Sequence, residues 1–189
     1  SLTGPINDKL RFNVGGFYRS NNGMRDPGFT GNRGGQFRAG LTYLLDDGEI
    51  YVGYRKLNDR NIFYTGIPLA SKSKGLPGLD AGDGTVVSPA FRNIAVPDLY
   101  GTGTSSIDLG NGVHTNTDTF TVTLDNKFND WLSVSAKGRY TGGVVDFNAL
   151  FSDQVAGAQA FLDSSLSRLQ AANPATVRAG YFNANTGAA

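Results

Sequence analysis

Five stretches of this chain alternate apolar and polar side chains with a period of two, a pattern that suits a strand and not a helix. In residues 10–18, Leu10, Phe12, Val14, Gly16 and Tyr18 share one parity, and Arg11, Asn13, Gly15 and Phe17 the other. The next stretch sets Phe37, Ala39, Leu41, Tyr43 and Leu45 against Gln36, Arg38, Gly40, Thr42 and Leu44. A third sets Ile50, Val52 and Tyr54 against Tyr51, Gly53 and Arg55. A fourth sets Phe120, Val122 and Leu124 against Thr119, Thr121, Thr123 and Asp125, and a fifth sets Leu132, Val134, Ala136, Gly138 and Tyr140 against Ser133, Ser135, Lys137 and Arg139. Five strands are therefore expected, at about residues 9–19, 35–46, 49–58, 118–128 and 131–142. The fold class is all-β and antiparallel.

The connections are unequal. Asp46-Asp47-Gly48-Glu49 has the Asp-Gly chemistry of a tight hairpin, and residues 126–130 form a second short turn. Long loops are expected at about residues 20–34, 59–117 and 143–189. Short turns at one end of a sheet and long loops at the other are the arrangement of a transmembrane β-barrel, with the long loops outside the cell. Phe128 and Trp131 lie at the short-turn end and Tyr43 approaches it, while Tyr18, Tyr54 and Tyr140 lie toward the long-loop end. Aromatic girdles at both membrane interfaces look like this. Arg11, Arg38, Arg55, Lys137 and Arg139 sit opposite the apolar stripes. In a barrel they face a wet lumen; in a soluble antiparallel sandwich they face solvent, and the pattern alone allows both.

Composition narrows the function. The 189 residues carry 17 basic and 16 acidic side chains, a balance that argues against a nucleic-acid partner. Apolar residues make up only 39%, as expected where strands alternate strictly. No apolar run approaches the roughly 18–20 residues of a membrane helix, which leaves a barrel open. Cys is absent and His114, placed in a loop, is the only histidine. That excludes thiol chemistry and makes a Ser-His-Asp triad or a zinc site hard to build. No nucleotide-binding or nucleophile-elbow motif occurs in a strand-to-helix context, and the glycine-rich run at 28–35 lies between two strands. The chain reads as a non-enzyme with no cofactor. Asp80 and Asp83 hint at a calcium turn but lack the EF-hand spacing, so no metal is expected. One helix is expected at about residues 152–172, capped by Ser152 or Asp153 and stopped by Asn173-Pro174. Its apolar stripe is Val155, Ala158, Phe161, Leu162, Leu166 and Leu169.

The stretch "NDKLRFNVGGFYRSNNGMRDPGFTGNRGGQFRAGLTY" resembles the barrel domain of TonB-dependent outer-membrane receptors just after the plug. "YRKLNDRNIFYTGIPL" and "NGVHTNTDTFTVTLDNKFNDWLSVSAKGRYTGG" are similar to later strands of that family, as is "FNALF" before the helix. The resemblance implies a barrel of about 22 strands around a plug. It implies residence in the bacterial outer membrane, in contact with its lipid, and active import of a scarce solute such as a siderophore, cobalamin or an oligosaccharide. Energy would come from the TonB complex acting through the plug. Plug, TonB box, signal peptide and closing strands are not visible in the chain, which is therefore expected to be an internal fragment, unable to transport alone. Solute contacts are expected from Arg25, Asp26, Arg33 and Gln36 in the first long loop and from Phe63 and Tyr64 in the second. The other readings are a soluble β-sandwich module, of adhesin or carbohydrate-binding type, and a passive porin.

Overall fold

A computed structural model describes residues 1–98, 103–151 and 156–175. The chain divides into two compact units, Ser1–Phe151 and Ser152–Ala189, and each is described by itself.

The first unit opens with β1 (Leu2–Pro5), β2 (Leu10–Asn21), β3 (Asn32–Leu44) and β4 (Gly48–Asn61). Two short strand pairs follow, β5 (Leu69–Ser71) with β6 (Lys74–Gly75) and β7 (Ile94–Pro97) with β8 (Thr104–Ile107). The unit ends with β9 (Val113–Lys127) and β10 (Ser133–Phe147). The main sheet is antiparallel and six-stranded in the order β1-β2-β3-β4-β9-β10, and it is open, with β1 and β10 at its edges.

Three features differ from the sequence expectation. The sheet has six strands rather than five, because Leu2-Thr3-Gly4-Pro5 is too short to show a period yet pairs with residues 11–14. Its Pro5 is tolerated at the end of an edge strand. The strands also run further toward the long loops than alternation indicated: β3 starts at Asn32, β4 ends at Asn61, β9 starts at Val113 and β10 reaches Phe147. The outer ends of β3, β4 and β9 are mostly polar on both faces, as in Asn58-Asp59-Arg60-Asn61, and that of β10 breaks the alternation with Val144-Val145, so the period stops while backbone pairing continues. Arg33 consequently lies in β3, and His114 in β9, rather than in loops, and Gln36, expected among the loop contacts, is a residue of β3.

Residue partners across the ladders show which side chains share a face. Phe12, Leu41, Val52, Val122 and Gly138 form one continuous row, and Val14, Ala39, Tyr54, Phe120 and Tyr140 the next. Nothing covers this apolar face among the described residues: Leu41, Val52, Phe120 and Val122 are each about half exposed. The opposite face carries the polar parity. There Tyr51 lies flat over Gly40 and Gly53, where a Cβ at Gly40 would stand 2.5 Å from its hydroxyl and one at Gly53 closer still. Two glycines at adjacent register positions thus let an aromatic ring pack onto the sheet.

The buried apolar core lies in the loops. Ile62, Val87 and Leu109 are its buried residues, with Phe29, Tyr64, Phe91, Ile94, Ile107 and Leu150 packed around them. Burying side chains of this size contributes about 1.5–3 kcal/mol each. The segment between β4 and β9, although aperiodic, is therefore folded at the long-loop end.

In the second unit, α1 (Ala158–Ala172) has Leu162 and Leu166 half-buried, and Phe161 and Leu169 exposed. It starts later than the expected residue 152. Gly157 is extended, at φ −62° and ψ 140°, and takes the N-cap position. Gly costs about 1 kcal/mol in a helix interior, which favours a boundary here. Ser152, Asp153 and Val155 lie outside the described residues. Asn173 ends the helix, its N–H donating to the Leu169 carbonyl at 2.7 Å.

Candidate functional site: the polar face and its loop cap

Period-two geometry gathers the five expected basic residues onto one face. Arg11, Thr42, Tyr51, Thr123 and Lys137 form one row across β2, β3, β4, β9 and β10. Asn13, Gly40, Gly53, Thr121 and Arg139 form the next, and Gly15, Arg38, Arg55, Thr119 and Thr141 the third. Arg38 and Arg55 are direct cross-strand partners. Like charges placed so are destabilising. Among the described residues, no carboxylate lies within ion-pair distance of Arg11, Arg38, Arg55, Lys137 or Arg139. Arg55 Nη2 instead donates to Thr119 Oγ1 at 3.3 Å, and Thr119 shares a 3.1 Å hydrogen bond with Thr141. Arg38, Tyr51, Arg55, Thr119, Thr121 and Arg139 line a cleft of about 160 Å³. An unpaired guanidinium cluster with hydroxyls beside it has the chemistry to hold a carboxylate or phosphate by charge-assisted hydrogen bonds.

Further toward the loops, the same face carries Arg19 bound to Asp59 at 2.6 Å and to Asn61. Beyond them, Phe63 packs edge-on to Phe147 at 5.1 Å and against Phe151 at 5.5 Å. Phe147 and Phe151 stay largely exposed, so this aromatic cluster offers open ring surface.

The remaining predicted contacts are drawn into loop architecture. Arg25 Nη1 donates to the Gly84 carbonyl at 2.5 Å. The Tyr64 hydroxyl donates to the Arg25 carbonyl at 2.6 Å, with the Asn22 carbonyl at 3.1 Å. Burial raises the Tyr64 pKa above its ordinary value, which keeps that hydroxyl a donor. Asp26 Oδ1 accepts the Gly28 N–H at 2.8 Å, an Asx turn. Arg25 and Tyr64 are thus brought together, and both staple the first long loop to the second. Gln36 lies on the polar face between Phe17 and Leu57, whereas Arg33, three residues earlier on the strand, lies on the other face. Asp80 accepts the N–H groups of Gly82 and Asp83, and these bonds, Asp83 first, hold its carboxyl below the usual range. Among the described residues, no three His, Asp or Glu side chains converge as a metal site.

The expected interface aromatics Tyr18, Tyr43, Tyr54 and Tyr140 all fall on the apolar face. Tyr54 packs on Phe120 at 5.1 Å, and Phe120 pairs with Tyr140. This row sits halfway along β4 and β10 rather than near their long-loop ends, because the strands overrun it. It does mark the edge of the apolar zone on β4 and β9: the next outward partners are Lys56 and Asp118, an ion pair of 2.7 Å. Phe128 and Trp131 occupy the β9–β10 turn, with Trp131 82% exposed.

Tyr51 and the Thr119–Thr141 bond escaped the sequence reading. The run of threonines at odd positions from 115 to 123 was the available signal for the hydroxyl ladder. No protein-family model matches this chain, and no curated protein or solved structure matches it significantly.

Proposed function

We propose that the six-stranded sheet is part of the wall of an outer-membrane β-barrel, in a TonB-dependent receptor that binds a scarce solute and imports it. The observation that carries this reading is the two-faced sheet: among the described residues, one face is apolar and uncovered and the other is lined by five cations without carboxylate partners. Lipid suits the first face and a wet lumen the second. The apolar stripe on β2, from Leu10 to Tyr18, is nine residues long. A tilted membrane strand needs about 9–11. The free edges of β1 and β10 would be unsatisfied in lipid, so in this reading further strands continue the sheet on both sides. A plug would couple the barrel to the TonB complex.

The solute is taken to be anionic. Arg38, Arg55 and Arg139 would hold its carboxylates or phosphates, as on an acidic ferric chelate or an acidic oligosaccharide. Phe63, Phe147 and Phe151 would stack on its planar or sugar portion. The loop staples through Arg25 and Tyr64, with the Asx turn at Asp26, would hold the outer mouth in shape.

Cell fractionation of the full-length protein, together with its reading frame, tests this. It is expected in the outer-membrane fraction, with a signal peptide and a plug encoded upstream. Recovery as a detergent-free soluble protein would favour a β-sandwich module with a second sheet over Leu41, Val52 and Val122. A barrel without a plug would make it a passive porin.

A further inference from the structure

One sizeable cavity does not lie on the polar face. It is a groove of about 450 Å³ beside the apolar band, where Arg33 pairs across the sheet with Arg60, Gly35 with Asn58, and Phe37 with Lys56. Tyr18 is the partner of Gly35 on the other side. The glycine leaves the floor of the groove open between Tyr18 and Asn58. Three cations therefore rim one groove. Lys56 is neutralised by Asp118, but Arg60 donates only to the Asn111 side-chain carbonyl at 2.9 Å. Arg33 has no side-chain partner among the described residues. Two guanidinium groups facing each other without a carboxylate make an electropositive seat whose repulsion an anion would relieve.

What lies beside the seat identifies the anion. Tyr18 is 73% exposed and Phe37 49%, and both stand on the face that continues down to Leu41 and Val52. A free phosphate would use the arginines and leave this apolar surface bare. A lipid uses both: a phosphorylated headgroup in the groove and acyl chains along the strands. We infer that Arg33 and Arg60, with Lys56 and Tyr18 beside them, form a docking site for the phosphorylated headgroup of a membrane lipid on the outer surface of the barrel. This rests on the reading that the apolar face meets lipid.

The test places the full-length protein in nanodiscs of phosphatidylcholine with a minor fraction of lipid A, and measures lipid retained on the protein by native mass spectrometry. The wild type is expected to retain lipid A in preference to phosphatidylcholine. An Arg33→Ala/Arg60→Ala variant is expected to lose that preference by about thirtyfold. Arg33→Lys/Arg60→Lys should recover most of it, and Lys127→Ala at the far end of the sheet should leave it unchanged. Inserted protein with no preference, or an alanine variant with undiminished preference, overturns the inference and leaves the barrel reading standing. Displacement of lipid A by millimolar inorganic phosphate would overturn the lipid assignment in favour of a simple anion seat. Failure of the wild type to insert at all would overturn both readings.

Discussion

The two faces of the main sheet share one backbone and have opposite chemistry, and each leaves a cost that the described residues do not meet. On one face Leu41, Val52, Phe120 and Val122 are about half exposed, with nothing over them among the described residues. On the other, Arg38 opposes Arg55, and neither has a carboxylate within ion-pair distance among the described residues. A soluble domain hides its apolar face and wets its charges. Here the buried apolar residues Ile62, Val87 and Leu109 sit in the loops instead. In the proposed barrel these become two different surroundings, an apolar one outside the sheet and an anion-bearing one inside it.

Substitutions of opposite parity break the comparison most sharply. Val52→Arg places a charge in the middle of the apolar band and should destabilise the full-length protein in bilayers by about 2–4 kcal/mol. Thr121→Arg, one position along from Val122 and on the polar face, should cost far less. Urea unfolding in lipid vesicles measures both, and equal effects would mean that the two faces see the same solvent.

A smaller effect is expected from Tyr51→Ala, which uncovers the backbone at Gly40 and Gly53. The loss of packed ring area should cost about 1–2 kcal/mol in the same unfolding assay. An unchanged stability would show that the ring does not brace the polar face.

Arg55→Ala should act in opposite directions on stability and on binding. Removing one of two opposed cations relieves about 0.2–1 kcal/mol of repulsion. The same change should weaken binding of an anionic solute, read by isothermal titration once the solute is in hand. A loss of stability without loss of binding would make the arginine pair a structural element.

The loop cap supplies the smallest effect, and one set by pH rather than by lipid. Hydrogen bonds from the Asp83 and Gly82 amides lower the Asp80 pKa. A depressed carboxylate contributes stability that is present above its unfolded value of about 3.9 and is lost as pH falls through the lower folded value. Hydrogen exchange at Gly82 and Asp83 should therefore be insensitive to this carboxyl from pH 5 to 8 and should lose protection on acidification below about pH 4. Asp80→Asn should abolish that dependence.

Much of the banded part of the sheet was legible, since a period of two over residues 10–18 or 36–45 leaves a strand as the natural reading. The parity of Arg11, Arg38, Arg55, Lys137 and Arg139 was readable for the same reason. Cross-strand register was not, because alternation within one strand says nothing about which residue faces which on the next. The Arg38–Arg55 and Arg33–Arg60 oppositions and the seat of Tyr51 over two glycines all depend on it. The outer strand ends were missed because Asn58, Asp59, Arg60 and Asn61 make both faces polar. The loop core was missed because Ile62, Val87 and Leu109 meet from aperiodic sequence.

In the proposed barrel the two faces meet different media. The sequence has no cysteine, so a single one can be introduced at Val52 or at Thr121 and labelled with an environment-sensitive fluorophore. Any cysteines elsewhere in the full-length protein would be replaced first. In vesicles containing brominated lipid, strong quenching is expected at residue 52 and little at residue 121, with a water-soluble quencher reversing the order. Quenching by the aqueous reagent alone at both positions would contradict it.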